Sequence, residues 1–220
     1  HLPNRVGAPY VDSATGQNAA LAVLAALLER ERTGAGQRID VAMLDSALLL
    51  MASHLTQTAM TGKPPAAAGN NAFSGAPASG VFETADGLLA LAANNERQFH
   101  RLVAALERPD LAGDPRFAAR VDRRDHTDAF RAEIQATLLS ATADDWEARF
   151  AAADVPAARI RDLGETLAMP QTAARGMMAS YQLAGLNRTM AAPTAGFKAN
   201  GDVLKAETPP PRLGQDSDAG

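Results

Sequence analysis

Cysteine is absent from the 220 residues, which excludes a disulfide framework, thiolate metal sites and cysteine nucleophiles. The same absence fits a reducing compartment, and a cytoplasmic location is expected. Aromatic residues make up only 5%, with one Trp and two Tyr, so helices packed closely through small side chains are predicted. Neither sign of charge dominates: 21 basic and 25 acidic side chains leave a net charge of −4. That balance gives no footing for nucleic-acid binding. The four histidines, His1, His54, His100 and His126, include no pair at metal-ligand spacing, and no metal or redox cofactor is implied. His54 and His100 fall inside predicted helices and are read as packing or capping residues. No apolar run reaches the ~20 residues of a membrane span, so a soluble protein with no membrane partner is expected. An initiating Met is missing too. The chain opens on His1-Leu2-Pro3-Asn4 and closes on Gln215-Asp216-Ser217-Asp218, which reads like a helix start with no helix after it. Further sequence on both sides is the expectation.

What remains is long enough, and at 46% apolar rich enough, for one sizeable core or two small ones. Residues 13–32 are rich in alanine and leucine, and Leu21, Leu24, Ala25 and Leu28 recur at helical spacing. Charges gather in the last turn, and Gly34 follows as a predicted C-cap. Residues 37–43 alternate and carry branched side chains, which predicts a strand; residues 44–60 return to helical character. Helix, tight turn, strand and helix in that order point to an α/β layer. Residues 63–80 are dominated by Pro, Gly, Asn and Ala and read as a linker or a functional loop. Strands at 81–84 and 88–91 flank Ala85-Asp86-Gly87, a hairpin signal. Helices are predicted at 96–106, 127–139, 143–152 and 163–168, with a short strand within 154–161 and weak strand signals near Tyr181 and Phe197. The densest basic stretch, residues 116–131, is interleaved with Asp122, Asp125 and Asp128 and reads as a solvated helix face.

Few motifs carry chemistry. The turn Thr33-Gly34-Ala35-Gly36-Gln37 lies after a helix and before a strand, the reverse of a phosphate-binding glycine loop, so it is read as a helix stop. Trp146 is read as the anchor of a helix start. Asp12 stands just ahead of the long helix in Pro9-Tyr10-Val11-Asp12-Ser13. Its plain reading is an N-cap. A functional reading is compatible with that one, because a helix N-terminus holds a carboxylate ionised and orients it, as a covalent nucleophile requires.

The run Gly7-Ala8-Pro9-Tyr10-Val11-Asp12-Ser13-Ala14-Thr15-Gly16, followed by Glu29-Arg30-Glu31-Arg32-Thr33-Gly34-Ala35-Gly36-Gln37-Arg38-Ile39-Asp40-Val41-Ala42-Met43-Leu44-Asp45, closely resembles the family III CoA-transferases, also called the CaiB/BaiF family. The similarity continues through Ala76-Pro77-Ala78-Ser79-Gly80, Phe82-Glu83-Thr84-Ala85-Asp86-Gly87, Asp114-Pro115-Arg116-Phe117 and Pro170-Gln171-Thr172-Ala173-Ala174-Arg175-Gly176-Met177. It runs through essentially the whole chain in family order.

The resemblance implies that Asp12 is the nucleophile of a ping-pong transfer of CoA from an acyl-CoA to a carboxylic acid, through aspartyl anhydride and aspartyl thioester intermediates. Coenzyme A would enter as substrate and acyl carrier. It further implies that residues 70–80 form a mobile loop over the acyl site, with Gly75, Ala76 and Pro77 touching substrate; the alternative is a plain interdomain linker. The loop lacks the fully glycine-rich form of formyl-CoA transferases, which argues against oxalate as substrate. The implied fold is α/β: residues 1–75 and 171–220 in part of a large Rossmann-like domain, residues 76–170 in a smaller α+β domain, and two chains interlocked as a homodimer. The α-methylacyl-CoA racemases of the same family usually read Asp-Phe-Ala-Gly-Gly where this chain has Asp12-Ser13-Ala14-Thr15-Gly16, so the transferase is favoured. Family members are roughly twice as long, by the resemblance and by ordinary two-domain sizes; the nucleotide-binding half would precede His1, and a truncated non-catalytic fragment is the third reading.

Overall fold

Residues 10–33 form one uninterrupted helix, α1 (Tyr10–Thr33), in a computed structural model that describes residues 6–71, 75–183, 187–215 and 217. Alanine and leucine hold the helix, and Gly34 ends it as expected. Its φ of 75° is the left-handed conformation that glycine adopts without a Cβ clash, and its amide donates to the Arg30 carbonyl at 2.8 Å. Two shorter helices follow, α2 (Met43–Leu50) and α3 (Ala52–Thr61). The predicted helix at 44–60 is therefore split at Met51, whose φ of −105° and ψ of 24° break the ladder.

The strand predicted at 37–43 does not form. Ala42 is extended, but no other strand pairs with this segment among the described residues, and an unpaired extended segment leaves its amides and carbonyls to water. The same lack of neighbours shows on α1, where no residue is buried and Leu21, Leu24 and Leu28 are each about two-thirds exposed or more. A polar clasp ties α1 to α2: Asn18 Nδ2 donates to Ser46 Oγ at 3.0 Å, and Ser46 is buried.

By length and composition α1 is apolar enough to cross a membrane, although no uninterrupted apolar run in it reaches the length of such a span. Its uninterrupted apolar part is residues 19–28, about 15 Å of helix against a hydrocarbon core of about 30 Å. Asp12, Gln17 and Asn18 occupy the turns before it.

The core lies further along the chain. Strands β1 (Ser79–Glu83), β2 (Leu88–Ala92) and β3 (Ala157–Arg159) form an antiparallel sheet in the order β1-β2-β3, with Phe82 opposite Leu89 and Leu89 opposite Arg159. The predicted hairpin holds, and its first strand starts two residues earlier than expected. Thr84 closes the turn, donating its amide to the Gly87 carbonyl at 2.9 Å while its hydroxyl accepts from the Gly87 amide.

Between β2 and β3 run α4 (Glu96–Ala105), α5 (Asp110–Gly113), α6 (Arg120–Asp125), α7 (Thr127–Leu138) and α8 (Ala143–Ala152). Three of these agree with the sequence reading to within one residue; α5 and α6 are too short to show a period. Side chains mark two of the starts: Asn95 and Gln98 form a reciprocal capping box at α4, and the Thr142 hydroxyl accepts from the Asp145 amide at α8. After β3 come α9 (Leu163–Ala168), α10 (Pro170–Arg175) and two antiparallel pairs, β4 (Met178–Gln182) with β5 (Thr189–Pro193) and β6 (Lys198–Ala199) with β7 (Asp202–Val203).

The sheet and helices α4 to α8 enclose one hydrophobic cluster, and it corrects the expectation of a core packed through small side chains. Five of the seven phenylalanines and the only tryptophan lie within it. The rings of Phe117 and Phe130 meet at 5.1 Å between centroids and those of Phe99 and Phe130 at 5.8 Å, tilted as aromatic quadrupoles prefer. Trp146 stacks on Phe150 and donates its indole N–H to the Leu138 carbonyl at 2.8 Å, so it anchors α8 as predicted. Few aromatics in the whole chain proved to mean many in one place.

The basic stretch also differs from its solvated reading. Arg123 is buried: its guanidinium donates to the Phe117 carbonyl at 2.7 Å, pairs with Glu96 and lies 3.7 Å from the centre of the Phe99 ring. Arg131 is half-buried, donating to the Pro77 and Ser79 carbonyls, both at 3.1 Å, over the Phe82 ring. Burial holds its pKa below the ordinary arginine value.

Candidate active site

Asp12 is the third residue of α1, with Pro9 at the N-cap and no side chain capping the helix. This overturns the plain reading of Asp12 as an N-cap. The first four amides of a helix have no intrahelical acceptor, and aligned peptide dipoles add roughly half a positive charge at that end. A carboxylate in the first turn sits in that field without being used up as a cap. Asp12 is exposed and borders an open concavity of about 380 Å³, formed by residues 6–12 and flanked by Val6 and Tyr10.

Gly75, Ala76 and Pro77 lie elsewhere. They form one wall of a cleft of about 100 Å³ whose other walls are the start of α4, at Asn94, Asn95 and Glu96, and helix α6, at Arg120, Arg123 and Arg124. Gly75 has a φ of 64°, and the Ala76 carbonyl accepts from the Ser79 amide at 3.0 Å, so the segment enters β1 through a turn. Arg131 grips it from beneath through the Pro77 carbonyl. Asp12 and these three residues line different recesses. The structure thus separates the two parts that the resemblance would join, and residues 72–74 of the predicted loop lie outside the described residues.

Sequence reasoning missed the polar half of the cleft. Arg120, Arg123 and Arg124 share one face of α6 by their spacing. That spacing was the available signal, masked by the acidic residues between them. His100, read as a packing or capping residue, meets the edge of the Phe99 ring at 5.2 Å, and His126 Nδ1 lies 2.9 Å from the Asp122 carbonyl oxygen.

With this geometry in view, likeness to known proteins narrows the chemistry. The chain is 36% identical over 177 residues to an acetyl-CoA:oxalate CoA-transferase of Acetobacter aceti, covering 80% of this chain and 45% of that protein. It is 37% identical over 174 residues to a succinyl-CoA–D-citramalate CoA-transferase of Chloroflexus aurantiacus, covering 79% and 43%. Its structure superposes on a CaiB/BaiF family protein from Brucella suis with a TM-score of 0.82 at 28% identity, over 100% of this chain and 56% of that one. The mixture of helices and strands therefore belongs to the α/β architecture of those proteins. The chain spans about half the length of the curated relatives it matches. The description "CoA-transferase family III" fits it from residue 1 to residue 217, and with relatives of this identity the chain belongs to that family.

Proposed function

We propose that the protein transfers CoA from an acyl-CoA to a carboxylic acid, with Asp12 as the covalent nucleophile. The family match from residue 1 to residue 217 carries this reading, and the first-turn position of Asp12 supports its residue assignment. The Asp12 carboxylate attacks the thioester carbonyl carbon and expels the CoA thiolate, giving a mixed anhydride. The thiolate attacks the Asp12 carbonyl of that anhydride, the donor leaves as a free carboxylate, and an aspartyl-CoA thioester remains. The acceptor carboxylate then attacks the aspartyl carbonyl, and thiolate departs again. It returns to the acceptor carbonyl of the second anhydride, which releases the new acyl-CoA and restores Asp12. Each step builds negative charge on an oxygen beside the helix N-terminus, where amides and dipole favour it.

Relatives named for oxalate, D-citramalate, glutarate and mesaconate make a dicarboxylic acceptor the class to test first; the oxalate relative also weakens the argument against oxalate from loop composition. The resemblance assigns the grip on the nucleotide end of CoA to the half of family chains that this sequence does not overlap. The interlocked homodimer, the division at residues 75 and 170 and the cytoplasmic setting belong to the same proposal. Hydroxylamine added during turnover tests it: an aspartyl hydroxamate mapped to Asp12 is expected. No hydroxamate, together with exchange of the substrate α-proton for solvent deuterium, would replace the transferase with the racemase chemistry, in which Asp12 acts as a base.

A further inference from the structure

The cleft beside Gly75 has an unbalanced charge. Three guanidiniums, those of Arg120, Arg123 and Arg124, line it together with a single carboxylate, Glu96. Glu96 is already committed to Arg123, and Arg123 is further held by the carbonyls of Phe117 and Ala118. Arg120 and Arg124 are exposed and take part in no ion pair among the described residues. Asp122 and Asp125 lie on the same short helix but do not line the cleft, because the i, i+3 and i+4 spacing turns 120, 123 and 124 to one side. Two uncompensated charges thus face a recess whose floor includes the Phe99 and Phe130 rings, a surface that lowers the local dielectric and strengthens their field.

We propose that this cleft is a binding site for a small dianion, a free dicarboxylate or a phosphate group, held by the guanidiniums of Arg120 and Arg124. Its volume of about 100 Å³ corresponds to about three water molecules of liquid, room for a phosphate group or for one end of a short dicarboxylate whose other end stays in solvent, and too little for a bulky acyl chain. Planar guanidiniums present paired donors that match either oxyanion in bidentate fashion. The wall formed by Gly75, Ala76 and Pro77 carries no acidic side chain, so nothing on that side repels an anion. The inference rests on the transferase reading only in expecting a carboxylic acid as the natural occupant; binding itself does not need Asp12.

Calorimetric titration of the protein with succinate, and separately with inorganic phosphate, at fixed ionic strength tests the proposal. Saturable binding of at least one probe is expected, weakened at least about tenfold in Arg120→Gln/Arg124→Gln, as loss of charge-assisted hydrogen bonds requires. Preference for succinate identifies a free acid as the source; preference for phosphate identifies a phosphate group. Arg124→Lys, which keeps the charge but loses the paired donors, should bind more weakly than the wild type and more tightly than the double variant, and guards against a folding defect in the latter. Arg175→Gln, an exposed arginine away from the cleft, should change nothing. Asp12→Ala should bind the probe like the wild type, which separates failure here from failure of the transferase reading. No saturable binding of either probe, or equal binding by the double variant, would overturn the site.

Discussion

Asp12 and Arg123 are both charged side chains, and the structure treats them oppositely. Asp12 faces water at a helix start, where chemistry can reach it. Arg123 is 5% exposed and has every direction filled by the Phe117 carbonyl, Glu96 and the Phe99 ring. Removing a buried donor leaves its acceptors unsatisfied, at about 1–3 kcal/mol for each group so stranded. Arg123→Ala should therefore destabilise the folded core by roughly 3 kcal/mol, read from urea unfolding. Glu96→Gln, on the half-exposed side of the same pair, should lose less than about 1 kcal/mol. Equal losses from the two would contradict this account of the pair.

Glu147 shows the same principle in pH dependence. The hydrogen bond from Arg161 holds its carboxyl below the ordinary value of 4.5, opposed by desolvation. An unfolded chain binds that proton more readily, so the stabilisation is complete above about pH 4.5 and fades as pH falls toward the lowered folded value. The melting temperature of the wild type should drop below pH 4.5 more steeply than that of Glu147→Gln. Parallel pH profiles would show that the pair contributes nothing.

At the scale of elements, legibility followed local signals. The capped helices α4 and α8 and the Ala85-Asp86-Gly87 hairpin could be read because their stop and start residues act within a few positions. Residues 37–43 could not, because a strand exists only with a neighbour, and none is within the described residues. The core was misjudged for a related reason. Composition counts aromatics, but only the fold gathers Phe82, Phe99, Phe117, Phe130 and Phe150 around one sheet.

Gly80 is a local requirement of another kind. Its φ is 140°, and a Cβ there would stand 2.8 Å from the Asn70 carbonyl oxygen and 3.3 Å from the Arg131 guanidinium. Gly80→Ala should cost about 1–3 kcal/mol, because backbone on one side and a gripped arginine on the other cannot yield cheaply. Gly87→Ala, with open space around it, should lie within about 0.5 kcal/mol of the wild type. Equilibrium denaturation of both variants checks the pair, and a costly Gly87→Ala with a silent Gly80→Ala would contradict the packing described.

For the whole molecule, one well-packed unit spans residues 78–157, while α1 presents its leucines to solvent. Family membership was legible because the similarity spreads over many short motifs in order. The site was legible only in part. Asp12 and the segment 75–77 each stood out in sequence, yet they line different recesses here. The arginine face of α6 became visible only once the fold turned it toward Gly75.

The central claim is that Asp12 is a nucleophile toward acyl-CoA. Intact mass spectrometry of the purified protein, incubated with a panel of acyl-CoAs beside an Asp12→Ala control, tests it most directly. A covalent CoA or acyl adduct is expected on the wild type and none on the variant, with the most efficient donor identifying the acyl group. No adduct from any donor, or the same adduct on Asp12→Ala, would contradict it.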